Sequence, residues 1–294
     1  MGTFTLSPAC RNLRVLSTVM NVMILVALAA SFGMAMPTQA AIQLGDIMPL
    51  GASITYGKGT PGGYRDPLYT LLTNHNYAFN FVGSVTENAT PALTAAGQTH
   101  HEGHSGYTIQ NRDPSDPTQT GPFLGGGILE SLPGWIGPGA ANPNYILLTI
   151  GTNDINFDYY TANAPNRLSN LISAISNHTT GLRPNAHLIV AEIPPTSIPV
   201  KNSPYQAYDA AIPGIVASHQ VLGENVSFVD LYTPLNPATD FSDNLHPNLQ
   251  GYDKVATAFF DGIVAAASTP EPTSLVWIGM GLSALISRRR SRIA

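Results

Sequence analysis

Short apolar runs alternate with longer amphipathic segments along the chain, and this alternation predicts the order of strands and helices. The short runs are near-continuously apolar, which is typical of parallel strands that are covered on both faces. They lie at 46–50, 79–85, 145–150, 187–193 and 226–231. The longer segments predict helices at 65–74, 128–135, 164–177, 205–221 and 249–266.

This alternation favours a single doubly wound α/β domain of the flavodoxin-like type. Helices would cover both faces of a central parallel sheet of about five strands, in three α/β/α layers. In such a sheet, ligands bind outside the carboxyl ends of the strands. The third predicted helix has an apolar stripe at helical spacing, formed by Leu168, Leu171, Ile172 and Ile175. Two stretches rich in Thr, Gly, Pro and Asp, at 88–98 and 110–127, are predicted to be long surface loops.

The first 41 residues have the pattern of an export signal. Arg11 and Arg14 precede an uncharged apolar stretch at 15–36, and the small residues near position 40 suit cleavage by signal peptidase. The alternative is a permanent membrane anchor, because the apolar stretch approaches spanning length. The folded domain is therefore expected to occupy residues 42–268.

The last segment, 269–294, combines a Pro-Glu-Pro triplet, an apolar stretch at 275–286 and a cluster of arginines. The apolar stretch is short compared with the roughly 20 residues of a spanning helix. The segment resembles the PEP-CTERM sorting signal of Gram-negative bacteria that make exopolysaccharide. The resemblance implies transient anchoring in the inner membrane, cleavage by an exosortase-type processing enzyme, and a final place at the cell surface or in the extracellular matrix. The alternative is a tail anchor that is never processed.

Composition narrows the possible chemistry further. The only cysteine, Cys10, lies in the predicted signal, so the domain has no disulfide, thiolate metal site or cysteine nucleophile. Residues 42–268 contain 7 Lys and Arg against 17 Asp and Glu, a net charge of −10. Such a surface repels nucleic acid and anionic lipid, and it favours a neutral substrate.

Ser53 lies in LGASITYG at 50–57, directly after the first predicted strand. A serine in a sharp turn between a strand and a helix has an exposed hydroxyl, and Gly51 and Gly57 allow the backbone to turn there. The backbone N–H of the serine can then point towards a bound acyl oxygen. The structural alternative is a serine that only caps a helix.

Asp243 and His246 lie in DNLHPN at 243–248, ahead of the last predicted helix. Three residues apart in a loop, they can present both side chains on one side. Neutral histidine suits the role of general base for a hydroxyl, and a carboxylate on its other ring nitrogen would fix the tautomer. The alternative is a surface histidine beside a helix cap.

Two further positions are candidate donors to an oxyanion. Asn153 follows the strand YILLTI within GTND at 151–154, so its amide can point into the crevice at the end of the sheet. Gly106, in HEGHSGYTI at 101–109, can offer its backbone N–H. An Asx-turn at Asn153 and an ordinary turn glycine at Gly106 are the alternatives.

The order of these four blocks resembles that of the SGNH, or GDSL-type, hydrolases, and the resemblance runs from residue 47 to about 258. Within that superfamily the chain is most similar to the acetylxylan esterases of carbohydrate esterase family 3. This similarity rests on IMPLGASITYG at 47–57, GGYRDPLYTLL at 62–72, FNFVGS at 79–84, HEGHSGYTI at 101–109 and YDAAIPGIV at 208–216.

The resemblance implies a role for each matched residue. Ser53 becomes the nucleophile, His246 the general base and Asp243 its orienting acid. The oxyanion hole consists of the N–H groups of Ser53 and Gly106 and the amide of Asn153. No cofactor or metal is implied. The expected activity is hydrolysis of short acyl esters, acetate first, on a polysaccharide.

Two positions depart from the family pattern. Ala52 stands where the family usually has an aspartate, and a hydrogen bond near the nucleophile is expected to be lost. Tyr107 replaces a frequent tryptophan. Two alternatives to the acetylesterase stay open. One is a lipase, lysophospholipase or thioesterase of the same superfamily, and the other is a non-catalytic glycan-associated surface protein, which Ala52 favours.

Two other patterns are weighed against these candidates. The histidines in THHEGH at 99–104 suggest a zinc site, but the required spacing around the Glu fails, since Ser105 stands where a second ligand is needed. Asp154 and Asp158 suggest the paired carboxylates of a glycosidase. They are interpreted instead as solvated loop charges.

Overall fold

The computed structural model describes residues 40–113, 115, 125–158 and 161–268. The predicted signal at 1–41 and the predicted sorting tail at 269–294 lie outside this part of the chain, except for residues 40 and 41. Within it, no helix combines the length and the apolar character needed to cross a membrane.

The described residues form a parallel sheet whose strands follow the predicted order. The strands are β1 (Ile42–Gly51), β2 (Tyr77–Phe81), β3 (Glu102–Gly103), β4 (Tyr145–Thr149), β5 (His187–Ala191) and β6 (Val226–Val229). Their spatial order is β2-β1-β4-β5-β6, and β3 pairs with β1. The chain order therefore reverses between β1 and β4, and the carboxyl ends of these two strands flank the crevice where such sheets bind ligands.

Helices cover the sheet on both sides. They are α1 (Ser53–Tyr56), α2 (Arg65–Asn74), α3 (Pro91–Ala95), α4 (Ile128–Trp135), α5 (Thr152–Asn156), α6 (Ala164–Ser176), α7 (Asn202–Asp209), α8 (Ile212–Val221) and α9 (Leu249–Ser268). Short 3₁₀ turns occupy Thr161–Asn163 and Pro199–Lys201. The prediction of a three-layer α/β/α domain is confirmed.

The two faces of the sheet explain why the strands are continuously apolar. Successive side chains of a strand point to opposite faces. On β4, Ile146 and Leu148 join the apolar cluster beneath α4, α6, α7 and α8, whereas Leu147 joins the cluster beneath α2 and α9. The stripe predicted on α6 is buried in the first of these clusters.

Three predicted elements differ from the structure. The predicted helix at 205–221 is two helices, because Pro213 lacks an N–H and its ring clashes with the carbonyl of Asp209, where α7 ends. The second strand is Tyr77–Phe81 rather than 79–85, and Val85 instead forms an isolated antiparallel bridge with His101.

The stretch at 88–98 is not a simple surface loop. It contains α3, whose first turn is capped by the Thr90 side chain, which accepts a hydrogen bond from the Leu93 N–H at 3.2 Å. Pro91 occupies the first turn of α3, where a proline is favourable, and Leu93 is fully buried. Of the second predicted loop, 110–127, residues 114 and 116–124 lie outside the described part.

Candidate active site

Four stretches that are distant in sequence meet at the carboxyl ends of β1, β3 and β4. They line a cavity of about 280 Å³ that includes Ser53, Gly106, Asn153 and His246. Strand pairing brings these stretches together. β2 pairs with the first half of β1, and β3 pairs with the last residues of β1, Leu50 and Gly51. The loop after β3, which carries Gly106, therefore lies next to the turn that carries Ser53.

Ser53, His246 and Asp243 form a continuous hydrogen-bonded relay. The Ser53 Oγ lies 3.0 Å from Nε2 of His246, and Nδ1 of His246 lies 2.8 Å from Oδ2 of Asp243. An ionised carboxylate only accepts hydrogen bonds, so Nδ1–H donates to Asp243 and Nε2 is left to accept the hydroxyl proton of Ser53. The structure thus brings the three predicted residues together in the arrangement that a serine nucleophile requires.

Asp243 is held in its ionised form. Partial burial raises its pKa, but the hydrogen bonds from the His246 ring and from the backbone N–H groups of His246 and Leu245 outweigh that effect. The net result is a pKa below the usual range for aspartate. Both N–H groups reach Oδ1 at 2.7 Å, so the carboxylate also fixes the shape of its own loop.

The loop that carries Asp243 and His246 is anchored at both ends. The Ser242 N–H donates to the His246 carbonyl at 2.9 Å and closes the turn. Buried Asp240 accepts from Lys254 of α9 at 2.7 Å. Thr196, in the segment that follows β5, donates to the Asn244 carbonyl at 2.8 Å. These hydrogen bonds hold the turn that carries the His246 imidazole in one position.

The turn after Ser53 is fixed from its far side. Gly57 ends α1 with φ of +85°, a backbone conformation that favours glycine. The Asn88 amide donates to the Tyr56 and Gly57 carbonyls, both at 2.8 Å. Arg65, which is fully buried, donates to the carbonyls of Thr99, Tyr56 and Asn88, and burial lowers its pKa to about 10.

The predicted oxyanion donors lie around one wall of the cavity. Ser53 is the first residue of α1, so its N–H has no acceptor within the helix. Gly106, with φ of +89°, lines the same cavity. Asn153 is buried, and its Nδ2 donates to the Tyr107 carbonyl at 2.7 Å. The amide has a second N–H for an oxyanion, since each side-chain amide carries two.

If Asn153 is an oxyanion donor, Asn153→Ala is expected to lower kcat for ester hydrolysis by about 10²–10³-fold with a smaller change in KM, because such a donor acts on charge that develops in the transition state. The measurement is steady-state kinetics on a soluble acetyl ester. Circular dichroism of the variant serves as the folding control. A variant that keeps its kcat while folded would contradict the role of Asn153 as a donor.

Asp154 is not a solvated loop charge, and that prediction is wrong. Its side chain is buried, and it accepts from Arg167 at 2.9 Å and from the backbone N–H of Ile109 at 3.1 Å. Burial raises its pKa to about 6 and the Arg167 guanidinium opposes the shift, so the carboxyl is ionised at neutral pH. The contact ties α5 and α6 to the loop that carries Gly106.

The sequence of α6 indicates that Arg167 needs a buried partner such as Asp154. Arg167 precedes Leu168 and lies four residues before Leu171, so it falls on the apolar stripe of the helix. A cation on a buried face needs a partner. Asp158, by contrast, fits its predicted description, since its side chain is 66% exposed and it pairs with Lys201 at the surface.

Comparison with known proteins decides the family. The sequence profile of the GDSL-like Lipase/Acylhydrolase family matches residues 50–254. The chain belongs to the GDSL-like lipase/acylhydrolase family. The match includes every residue of the relay and every predicted oxyanion donor.

Individual relatives of this GDSL-like chain agree with that assignment. A solved family 3 carbohydrate esterase from Clostridium thermocellum is 33% identical, with a TM-score of 0.60, covering 77% of this chain and 100% of that one. A family 3 carbohydrate esterase from Talaromyces cellulolyticus shares the fold at 20% identity and a TM-score of 0.59, covering 77% and 99%. A multidomain esterase from Ruminococcus flavefaciens is 28% identical over 242 residues, which is 77% of this chain but only 30% of that protein.

Ala52, which departs from the family's Gly-Asp-Ser pattern, does not disturb the relay of Ser53, His246 and Asp243. Ala52 is buried and belongs to the apolar cluster that includes Leu50 and Ile150. The contact between Ser53 and His246 forms beside it at 3.0 Å. Tyr107, the second departure, lies beside His104 and Trp135, with ring centroids 4.9 and 6.0 Å away.

The histidines before Gly106 have structural partners in this GDSL-like domain. His101 is buried, its Nδ1 accepts from the Gly103 N–H and its Nε2 donates to the Glu87 carbonyl. Burial, and next the charge of Arg65, lower its pKa to about 3, so the ring is neutral. His104 contacts buried Glu102 at 2.7 Å. Across the described ranges, no group of three or more His, Cys, Asp and Glu is arranged to hold a metal ion.

Asp209 makes the stability of the domain depend on pH. Burial raises its pKa to about 8, the nearby charges of Glu192 and Asp230 add to the shift, and the Ile193 N–H opposes it. The folded protein then keeps a proton that an unfolded aspartate releases near pH 3.8. The free energy of unfolding therefore falls as pH rises between these two values.

Asp209→Asn should remove this pH dependence. The free energy of unfolding of the variant minus that of the native protein is expected to increase by about 1 kcal/mol per pH unit between roughly pH 5 and 7. Urea unfolding at several pH values measures this difference. A difference that stays constant with pH would mean that the native carboxyl already ionises at lower pH.

Proposed function

We propose that this chain is an exported serine esterase that hydrolyses acetyl esters on a polysaccharide. The observation that carries the proposal is the relay of Ser53, His246 and Asp243, with heavy-atom separations of 3.0 and 2.8 Å. Family membership supports ester hydrolysis. The similarity to the Clostridium thermocellum family 3 carbohydrate esterase, at 33% identity over the full length of that chain, supports a carbohydrate ester as the substrate.

In the proposed mechanism, the Ser53 Oγ attacks the ester carbonyl while Nε2 of His246 takes the hydroxyl proton. The carbonyl oxygen becomes an oxyanion, which the N–H groups of Ser53 and Gly106 and the Asn153 amide stabilise. The ester C–O bond then breaks, and His246 returns the proton to the departing sugar hydroxyl. An acetyl ester of Ser53 remains.

Water completes the cycle by the same route. His246 takes a proton from the water, which attacks the acetyl carbonyl, and the bond to Ser53 Oγ breaks as the proton passes to that oxygen. Acetate leaves and Ser53 is regenerated. Throughout, Asp243 holds the imidazole in one tautomer and stabilises its protonated form. These steps need no cofactor.

The size of the cavity supports a short acyl group. A volume of about 280 Å³ lies below the roughly 300–1,000 Å³ of typical pockets for drug-sized ligands. Its lining combines polar side chains such as Ser105, Thr152 and Asn153 with the apolar Phe157 and Leu245. The limited volume favours a short acyl group over the long alkyl chain that a lipase or lysophospholipase accepts.

The route to the cell exterior is part of the proposal and rests on the sequence alone. An export signal at 1–41 would direct the chain out of the cytoplasm, and the PEP-CTERM-like segment at 269–294 would hold it at the membrane until an exosortase-type enzyme cleaves it. An extracellular polysaccharide, either the cell's own or one of plant origin, is the substrate consistent with this route.

Acetate release from acetylated xylan and related acetylated polysaccharides tests the proposed function directly. A parallel series of p-nitrophenyl esters of increasing acyl length should show the highest kcat/KM for acetate and a steep fall with longer chains. Preference for long chains would indicate a lipase-like or thioesterase-like activity instead. Absence of hydrolysis of every ester by the folded protein would favour the non-catalytic alternative.

A further inference from the structure

Lys58 lines the cavity that contains Ser53, Asn153 and His246. Its backbone is closely coupled to the nucleophile turn, because its N–H donates to the Ser53 carbonyl at 3.0 Å. On its other side, Gly59 approaches Ser242, the residue before Asp243. The base of the Lys58 side chain is therefore held between the two stretches that carry the relay, and the residue is exposed to solvent while it lines the cavity.

The ammonium of Lys58 is uncommitted. In the part of the chain that the structure describes, its side chain makes no hydrogen bond or ion pair. Five other cations do have partners for their side chains, either backbone carbonyls or carboxylates: Arg65, Arg167, Arg183, Lys201 and Lys254. A free cation beside a reaction site is available to a substrate.

The position of Lys58 matters because the domain as a whole is negatively charged. With a net charge of −10 over residues 42–268, the surface as a whole repels anions, and by itself it favours a neutral substrate. Lys58 places a positive charge in the lining of the cavity, close to the relay. Ser53 and Asn153 are buried, whereas Lys58 and Ser105 are the exposed residues of the cavity lining, so a polymer that carries the ester can pass close to Lys58.

We propose that Lys58 is a specificity-determining residue that favours esters on sugars with a carboxylate near the scissile bond, as in acetylated polysaccharides that contain uronic acids. This inference rests on the proposed function, and it narrows the substrate class. The carboxylate would pair with the ammonium on the alcohol side of the ester. An exposed pair of this kind contributes modestly, and its effect weakens as salt is added.

A matched pair of chromogenic esters isolates the effect of the carboxylate. The anionic member is 4-acetoxy-3-nitrobenzoate and the neutral member is its methyl ester, so both release acetate. The ratio of their kcat/KM values is measured for the native protein, Lys58→Met and Lys58→Arg. Comparing this ratio between variants cancels the different intrinsic reactivity of the two esters. Arg183→Gln is the control for net charge, because Arg183 bonds to the Pro143 carbonyl ahead of β4, at the opposite end of the sheet.

Lys58→Met is expected to lower the anionic-to-neutral ratio by about twofold to fivefold at low salt. Lys58→Arg and Arg183→Gln should leave the ratio near the native value. The native preference should also shrink towards that of Lys58→Met at about 1 M salt, where the screening length is about 3 Å. Acetate release from acetylated oligogalacturonates, compared with acetylated xylo-oligosaccharides, should fall in the same variant by a similar factor.

An unchanged ratio in Lys58→Met would overturn the proposal, and so would an equal fall in Arg183→Gln, which would indicate an effect of net charge. In both cases, hydrolysis of the neutral ester that depends on Ser53 would leave the proposed esterase function standing. If neither ester is hydrolysed in a manner that depends on Ser53, the proposed function fails, and the selectivity of Lys58 fails with it.

Discussion

Ser53→Ala is expected to reduce kcat for hydrolysis of an acetyl ester by about 10³-fold or more, since the proposed acyl-enzyme cannot form without the hydroxyl. The substitution removes one oxygen from a buried site and leaves the contact between His246 and Asp243 intact. The variant should therefore fold normally. Steady-state kinetics and thermal unfolding measure the two effects.

A matched control and an independent reagent sharpen this test. Ser218→Ala removes an exposed hydroxyl on α8 that bonds only within its own helix, to the Gly214 carbonyl, and it should keep full activity. A fluorophosphonate reagent should attach to the peptide that contains Ser53, as detected by mass spectrometry, and this label should be absent from Ser53→Ala. Labelling elsewhere, or activity that survives in Ser53→Ala, would rule out Ser53 as the nucleophile.

Arg167→Met is expected to lower the free energy of unfolding by about 3–5 kcal/mol at pH 7.5 or above, because it leaves the buried carboxylate of Asp154 without its counter-ion. The side chains of this pair are only 7% and 1% exposed, so water cannot replace the lost contact. Activity should fall as well, since Asp154 also holds the Ile109 N–H and so fixes the loop that carries Gly106. Urea unfolding measures the stability.

The dependence of this loss on pH follows from the same burial. Burial already raises the pKa of Asp154 to about 6 with Arg167 present, and loss of the guanidinium would raise it further. The carboxyl of the variant can then take up a proton at pH 5, so the destabilisation should be smaller there than at pH 7.5. Adding Asp154→Leu to Arg167→Met should recover part of the stability for the same reason.

An exposed ion pair nearby provides the control. Lys201→Met removes the cation that pairs with Asp158, whose side chain is 66% exposed, and that also donates to the Ile155 carbonyl at 3.0 Å. Water can solvate the carboxylate of Asp158, so the loss should be about 1–2 kcal/mol, the larger figure including the hydrogen bond to Ile155. If Arg167→Met cost no more than Lys201→Met, the pair of Arg167 and Asp154 would not be an essential support of the site.

The positions of the candidate site residues could be predicted because parallel strands share one carboxyl end. Ser53 and Asn153 each follow an apolar run, and runs of that kind are recognisable without any knowledge of contacts. The Asp243–His246 pair is local, three residues apart. Folding brings this pair to Ser53, 193 residues away along the chain.

Other features had no comparable local signal. The two-residue strand β3 has no apolar run, yet its pairing with Leu50 and Gly51 places Gly106 beside Ser53. Lys58 has the sequence character of any solvated lysine. Its relevance depends on a cavity that residues from four separate stretches create.

The sequence by itself determined the layered architecture and the side chains that face the core, because strands repeat every two residues and helices every 3.6, and apolar residues record both periods. The tertiary structure alone decided where other polar groups lie: Asp154 against Arg167, and Lys58 in the lining of the cavity. Such contacts depend on distance in space and on exclusion of water, and neither leaves a periodic trace along the chain.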